Sequence, residues 1–265
     1  EYGVTPGVEA TTGPLGQGLA MAVGMALAEK ILAAEFNREN FPVVDHFTYV
    51  FLGEGCLMEG VSSEASSLAG TLGLGKLICL FDQNGISIDG PVDGWFTENV
   101  AARYKAYGWQ VIDNVDGHDH LAVPRALAQA PKETARPSLI GCKTVSRYCA
   151  PSHAGTAKTH GAPLGAEEIA GTRTALGWEY EPFAVPDAVK KSWDARRKGK
   201  AAEKAWDKLF AAYAEAHPEL ARELLSRMKG ELPQSWITSL AHVGVAAQKS
   251  DESIATRIAS RNVLN

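Results

Sequence analysis

Residues 47–90 read FTYVFLGEGCLMEGVSSEASSLAGTLGLGKLICLFDQNGISIDG, and the order of elements in this stretch sets the architecture. The apolar run 47–52 is short and ends at Gly53, which suits a strand buried in a parallel sheet better than a helix. A helix is predicted over 61–72, and 76–81 repeats the apolar strand pattern before Asp82-Gln83-Asn84-Gly85. Gly53-Glu54-Gly55 therefore falls at a strand's carboxyl end, just ahead of a helix. Open α/β sheets place ligands there, and helix N-termini attract phosphate. The carboxylate of Glu54 and the amide of Asn84 are expected at one sheet edge. Oxygen donors from adjacent strand ends suit a hard divalent cation that bridges to a diphosphate. A Gly-acid-Gly triplet also has a plainer reading, because strand-to-helix turns often need glycine for backbone geometry alone.

Further out, residues 16–36 carry small and apolar side chains on nearly every face, which predicts a helix buried all round. Gly13-Pro14-Leu15-Gly16 ahead of it reads as a helix start with proline near the first position. Downstream, a short helix pattern over 98–107 leads into a strand at 109–112. Asp116-Gly117-His118-Asp119 opens a helix over 121–130, and 137–145 is another apolar strand. This alternation predicts an α/β fold, a doubly wound parallel sheet with helices on both faces. A helical C-terminal extension follows. Helices are expected over 166–176 and within 186–228, where Trp206, Leu209, Phe210 and Tyr213 form one buried stripe. Lys190, Lys191, Arg196, Arg197 and Lys198 read as a solvated face. Residues 230–251 lose the pattern and read as a linker.

With 265 residues, 45% of them hydrophobic, the chain can bury the core of one large domain. A net charge of −5 and a pI near 5.8 argue against a nucleic-acid partner, whose usual footprint is a basic patch. No apolar run approaches the roughly eighteen residues of a membrane helix, and the first residues lack the basic and apolar regions of a signal peptide. No membrane partner is expected, and the expected compartment is the cytoplasm. Cys56, Cys79, Cys142 and Cys149 show no metal-type spacing; two fall in predicted strands, so apolar packing and a reducing compartment are the reading.

Gly13-Pro14-Leu15-Gly16-Gln17-Gly18, Gly53-Glu54-Gly55, Asn84-Gly85-Ile86-Ser87-Ile88-Asp89-Gly90, Gly94-Trp95-Phe96-Thr97, Asp116-Gly117-His118-Asp119 and His160-Gly161-Ala162-Pro163-Leu164-Gly165 occur in the order and spacing of transketolase. The chain resembles that family over almost its whole length. The resemblance implies thiamine diphosphate as cofactor with Mg2+, Ca2+ and Mn2+ being alternatives, and transfer of a two-carbon ketol unit between sugar phosphates. It implies metal ligation by Glu54, Asn84 and the backbone carbonyl of Ile86. It also implies cofactor contacts by Gly13, Leu15, Gly55, Glu59, Asn84, Ile88 and His160. His160 is further expected to act in catalysis on the donor substrate's oxygens; an ordinary pKa of about 6.5 suits hydrogen-bond donation or proton shuttling. Arg257 aligns with the arginine that holds the sugar phosphate, where a bidentate fork favours Arg over Lys.

Plainer readings stand beside these. A carboxylate near a helix start, such as Glu59, favours the helix dipole, whereas the matching family residue reaches across a dimer interface. Asn84 is also a turn residue before Gly85, Ile88 also a packing residue, and Arg257 also an exposed helical arginine. His118 reads as part of a capping turn. His46, His120, His153, His217 and His242 read as surface or packing residues.

Two departures from the family stand out. Glu54 replaces an aspartate and adds a methylene, while magnesium wants near-octahedral ligands at about 2.0–2.1 Å. Either the side chain folds back, the turn moves, or metal binding weakens. Ser146, Arg147, Tyr148 and Cys149 stand where the family generally has isoleucine, glycine, an aromatic residue and glycine. Arginine in place of glycine disfavours a positive φ, so this loop is expected to differ; Arg147 reads as a solvated residue or as a phosphate partner. By resemblance, residues 1–229 form a pyrophosphate-binding domain lacking its start, 230–251 a linker, and 252–265 the beginning of a pyrimidine-binding domain. The chain is then expected to be an incomplete part of a homodimeric enzyme, or to associate with the missing pyrimidine-binding domain, and to be inactive by itself. The alternatives are a non-catalytic paralogue or one subunit of a split enzyme, followed by dihydroxyacetone synthase and deoxyxylulose phosphate synthase.

Overall fold

A computed structural model describes residues 2–158, 160–233, 235–249 and 253–264. Its strands are β1 (Thr48–Gly53), β2 (Leu77–Gln83), the two-residue β3 (Ile86–Ser87) and β4 (Gly90–Pro91), β5 (Gln110–Asp116) and β6 (Ser138–Lys143). Four of them form a parallel sheet in the order β1-β2-β6-β5, and β3 and β4 make a small antiparallel hairpin. The register sets Gly53 opposite Asp82 and Asp82 opposite Cys142, so three strands end level with one another. The carboxyl edge is thereby brought into one line.

Side-chain alternation along β2 splits the core in two. Leu77, Cys79 and Phe81 pack with Leu19, Val23, Tyr104, Trp109 and Leu139, whereas Ile78 and Leu80 pack with Val115, Ala126, Ile140 and Cys142. Both faces are covered, which is why β2 reads as an unbroken apolar run. The first face carries α1 (Leu15–Phe36), α3 (Gly60–Leu72) and α4 (Val100–Ala106); the second carries α5 (Ala122–Gln129). This is the expected doubly wound α/β arrangement. The four cysteines are free, and Cys79 and Cys142 are buried as predicted. No helix among the described residues is long and apolar enough to cross a membrane.

Helix α3 ends at Gly73, in the left-handed region at φ 59°, and Lys30 Nζ donates to Leu72 O at 2.5 Å and Gly73 O at 3.3 Å. A cation among the last carbonyls suits the helix dipole. On the same helix a Cβ at Gly70 would lie 1.8 Å from Tyr107 O, so glycine lets the end of α4 pack against it.

Three expectations need correction. A separate helix, α2 (Glu54–Met58), begins at the acid itself, so Glu54 is a helical residue and not a free turn residue. Helix α1 is not buried all round: Leu19, Ala22, Val23 and Ala26 are buried, but Met21 and Ile31 are 45% and 54% exposed. The helix packs against α3, β1 and α2 through its buried residues. Residues 230–251 are not without pattern: they hold a helix, α10 (Trp236–Gln248), in which Trp236, Leu240 and Val243 recur at i, i+4 and i+7 while Trp236, Ile237, Leu240 and Val245 are exposed.

Two compact units divide the chain at Gly199/Lys200, inside α8 (Arg196–Ala216). The first also holds α6 (Ala166–Ala175) and α7 (Asp187–Trp193). The second holds most of α8, then α9 (Pro218–Met228), α10 and α11 (Thr256–Leu264). Along α8 the expected stripe forms, with Trp206 stacked on Phe210 at 4.9 Å between ring centres and Tyr213 buried. The junction expected at Asp251 and Glu252 lies outside the described residues.

Candidate functional site

Glu54 folds back from the start of α2 over the end of β2. Its Oε1 accepts the Gly85 backbone N–H at 2.7 Å, and the residue is 4% exposed. Burial pushes its carboxyl pKa above the usual range; the Gly85 N–H opposes that rise, and the negative charge of Asp82 adds to it. Among the described ion pairs none involves Glu54. This is a buried acid with a second acid nearby and no paired cation.

The turn that Glu54 touches is shaped by Asn84. Asn84 Oδ1 accepts the Ile86 N–H at 2.9 Å, and its Nδ2 donates to Asp82 Oδ2 at 3.0 Å. The turn-residue reading of Asn84 is therefore correct, and the amide oxygen keeps a second lone pair. Behind it, the Thr144 hydroxyl donates to Asp82 Oδ1, and the Thr144 N–H to Gln83 O at 3.3 Å. The Asp82–Thr144 pair has no signal in the sequence, because it depends on β6 lying beside β2, which no local pattern announces.

On the β1 side, Glu59 joins α2 to α3, yet its side chain leaves the start of α3 and turns to α1. Its Oε2 accepts the Gly16 N–H at 2.8 Å, the favourable end of that helix dipole. A Cβ on Gly16 would lie 2.5 Å from Glu59 Oε2 and 2.6 Å from Val61 Cγ1, so a side chain there would have to push both aside. Leu15 lies against Gly55, its Cδ1 3.1 Å from where a Cβ would be. Gly13 is exposed in the loop ahead of α1.

The structure thus gathers Leu15, Glu54, Gly55, Glu59, Asn84 and Ile86 around the carboxyl ends of β1 and β2. Ile88 is 66% exposed beyond the β3 strand, which does not favour the packing reading. His160 is exposed, its backbone N–H bonded to Ala157 O at 2.9 Å; among the described hydrogen bonds none ties its ring to the Glu54 turn. Arg257 is an exposed residue of α11, in the second unit.

The loop after β6 overturns one expectation. Arg147 and Cys149 adopt φ of 57° and 68°, so the loop enters the left-handed region at both positions despite their side chains. That conformation costs roughly 1–2 kcal/mol for a residue other than glycine. Local bonds hold the loop: Ala150 N–H to Arg147 O at 2.9 Å and Gly155 N–H to Ser146 O at 2.8 Å. His118 holds it too. The predicted turn is present, with Asp116 Oδ1 accepting the His118 N–H at 2.9 Å. The imidazole reaches further: its Nε2 accepts the Val145 N–H at 2.8 Å, and its ring stacks on Tyr148 at 3.9 Å.

Among the described residues no three His, Cys, Asp or Glu side chains cluster as a metal centre. A cation here would rely on one carboxylate with amide and carbonyl oxygens, a donor set suited to a hard ion. The raised pKa of an unpaired buried acid fits such an ion, whose charge would offset the burial.

An open parallel sheet with an acid and an amide gathered at its carboxyl edge, beside helix starts, defines a ligand-binding α/β domain. The chain belongs to the transketolase family: residues 1–233 match the family described as "Transketolase, thiamine diphosphate binding domain". It is 60% identical to the plasmid transketolase of Cupriavidus necator over 98% of this chain and 39% of that protein. It is 54% identical to transketolase 2 of Escherichia coli over 100% of this chain and 40% of that protein. Transketolase from Leishmania mexicana superposes with a TM-score of 0.87 at 45% identity, covering 100% of this chain and 39% of that one. A Pichia stipitis transketolase mutant solved with fructose-6-phosphate gives 0.83 at 46%, covering 89% and 35%. The chain therefore spans about two fifths of the length of the curated relatives it matches.

Proposed function

We propose that the chain serves a transketolase, moving a two-carbon ketol unit from a ketose phosphate to an aldose phosphate. The observation that carries this reading is the placing of Glu54 on the Asn84 turn, at the strand edge of a domain whose family binds thiamine diphosphate. Bound there, the cofactor supplies the carbanion chemistry, and the protein supplies binding, orientation and electrostatics. Glu54, Asn84 Oδ1 and the Ile86 carbonyl would hold a magnesium ion that carries the diphosphate. Leu15, Gly55 and Gly13 would shape the wall against the cofactor rings, with Ile88 beyond. His160, exposed in its loop, would donate to the diphosphate and to the donor sugar. Arg257 is assigned the grip on the sugar phosphate.

Glu59 is the residue through which the family would work across two protomers; here it also anchors α1, so both roles share one carboxylate. Homodimerisation, a cytoplasmic setting, and the assignment of residues 1–229, 230–251 and 252–265 to a pyrophosphate-binding domain, a linker and the start of a pyrimidine-binding domain belong to the same proposal. A second reading, a non-catalytic relative or one subunit of a split enzyme, draws on Glu54 itself and on the strained Arg147 and Cys149. A coupled ketol-transfer assay separates the possibilities. The 265-residue chain alone is expected to give no turnover, and to gain it when the remaining length of a transketolase is supplied in the same polypeptide or as a separate one. Robust turnover by the chain alone would refute the proposal, and silence in both reconstitutions would favour the non-catalytic reading.

A further inference from the structure

One chain of hydrogen bonds runs from a residue far from the Glu54 turn into that turn. His118 Nε2 accepts the Val145 N–H at 2.8 Å. The peptide so fixed joins Val145 to Thr144, whose hydroxyl donates to Asp82 Oδ1 and whose N–H meets Gln83 O at 3.3 Å. Asp82 Oδ2 accepts from Asn84 Nδ2 at 3.0 Å, and Asn84 Oδ1 accepts from the Ile86 N–H at 2.9 Å. The His118 turn can come this close because residue 117 is glycine. A Cβ there would lie 2.4 Å from Thr144 Cγ2 and 3.0 Å from Lys143 O, and the Gly117 N–H donates to that same Lys143 O at 2.8 Å.

We infer that His118 is a positioning residue for Asn84, acting through Val145, Thr144 and Asp82, and that it does so as a neutral imidazole with its proton on Nδ1. An acceptor nitrogen cannot carry a proton, so the bond to Val145 fixes the tautomer. Stacking on Tyr148 at 3.9 Å, with the planes 17° apart, holds the ring in that orientation. Within the relay every acceptor is used by a named donor, so the orientation of the Asn84 amide is set from behind. Its Oδ1 then faces the turn that Glu54 caps, and does not rotate freely. The same bond pins the first residue of the strained loop at 145–149, which couples that loop's position to the Asn84 turn.

The inference rests on the thiamine diphosphate reading only for its functional consequence, and the test keeps the two apart. In 15N-labelled chain, the Asn84 side-chain amide signal, assigned by its loss in Asn84→Ser, is followed without cofactor in His118→Phe and His118→Gln. Phenylalanine keeps the ring on Tyr148 and removes the acceptor; glutamine supplies a neutral acceptor oxygen. His118→Phe is expected to shift the Asn84 signal and speed its exchange with solvent, and His118→Gln to restore both. Thr144→Val, which cuts the relay one step later, is expected to match His118→Phe and serves if that variant does not fold. Titration of the same samples with thiamine diphosphate and Mg2+ is expected to show binding weakened about tenfold in His118→Phe and recovered in His118→Gln. An Asn84 signal unchanged in folded His118→Phe or Thr144→Val overturns the relay. Absence of any binding by the wild-type chain counts against the cofactor reading, while the cofactor-free signal still decides the relay.

Discussion

At Glu54, burial and chemistry pull in opposite directions. The folded protein raises this carboxyl above its usual 4.5, chiefly by burial. Its contribution to stability is therefore present below the ordinary carboxylate range and is lost as pH rises through the raised value. Glu54→Gln keeps an oxygen for the Gly85 N–H and removes the charge. In metal-free buffer it is expected to be more stable than wild type at neutral pH, with the advantage vanishing as pH falls below about 4.5. Urea unfolding across that range reads the difference, and a less stable variant at neutral pH would contradict the account. Cys149 offers a second residue-scale test. Relief of a left-handed φ gains roughly 1–2 kcal/mol, against about 0.5–1 kcal/mol lost to glycine's extra freedom. Cys149→Gly should therefore stabilise the chain, by at most about 1.5 kcal/mol, in the same assay.

Among the elements, the decisive joint is where α1 meets the junction of α2 and α3. Gly16 admits the Glu59 carboxylate to the start of α1, and Gly55 admits Leu15. Gly16→Ala forces a methyl into Glu59 and Val61 and is expected to cost about 1–3 kcal/mol, the range for overpacking a tight contact. Little change in unfolding midpoint would show that the joint is looser than its distances imply. Much of this scale was legible in advance. Strands β1, β2 and β6 showed as short apolar runs, and the doubly wound order followed from their alternation with helices. Glu54 and Asn84 were visible as neighbours because each closes a strand. The hidden parts depended on partners distant in sequence or on weak local signals. Thr144 reaches Asp82 only through the β2–β6 register, α10 shows its stripe of Trp236, Leu240 and Val243 over only two turns, and the left-handed Arg147 and Cys149 run against their own side-chain preferences.

For the whole molecule, the two units and the two-fifths coverage of its relatives frame what the chain can do. The first unit carries the Glu54–Asn84 turn intact, so cofactor binding is expected of the chain even where ketol transfer is not. Calorimetric titration with thiamine diphosphate, with and without Mg2+, on wild type and on Glu54→Ala tests that most directly. Magnesium-dependent heat is expected from the wild type, and its loss in the variant. A binding signal unchanged on Glu54→Ala would take the acid out of the metal's coordination and contradict the central claim.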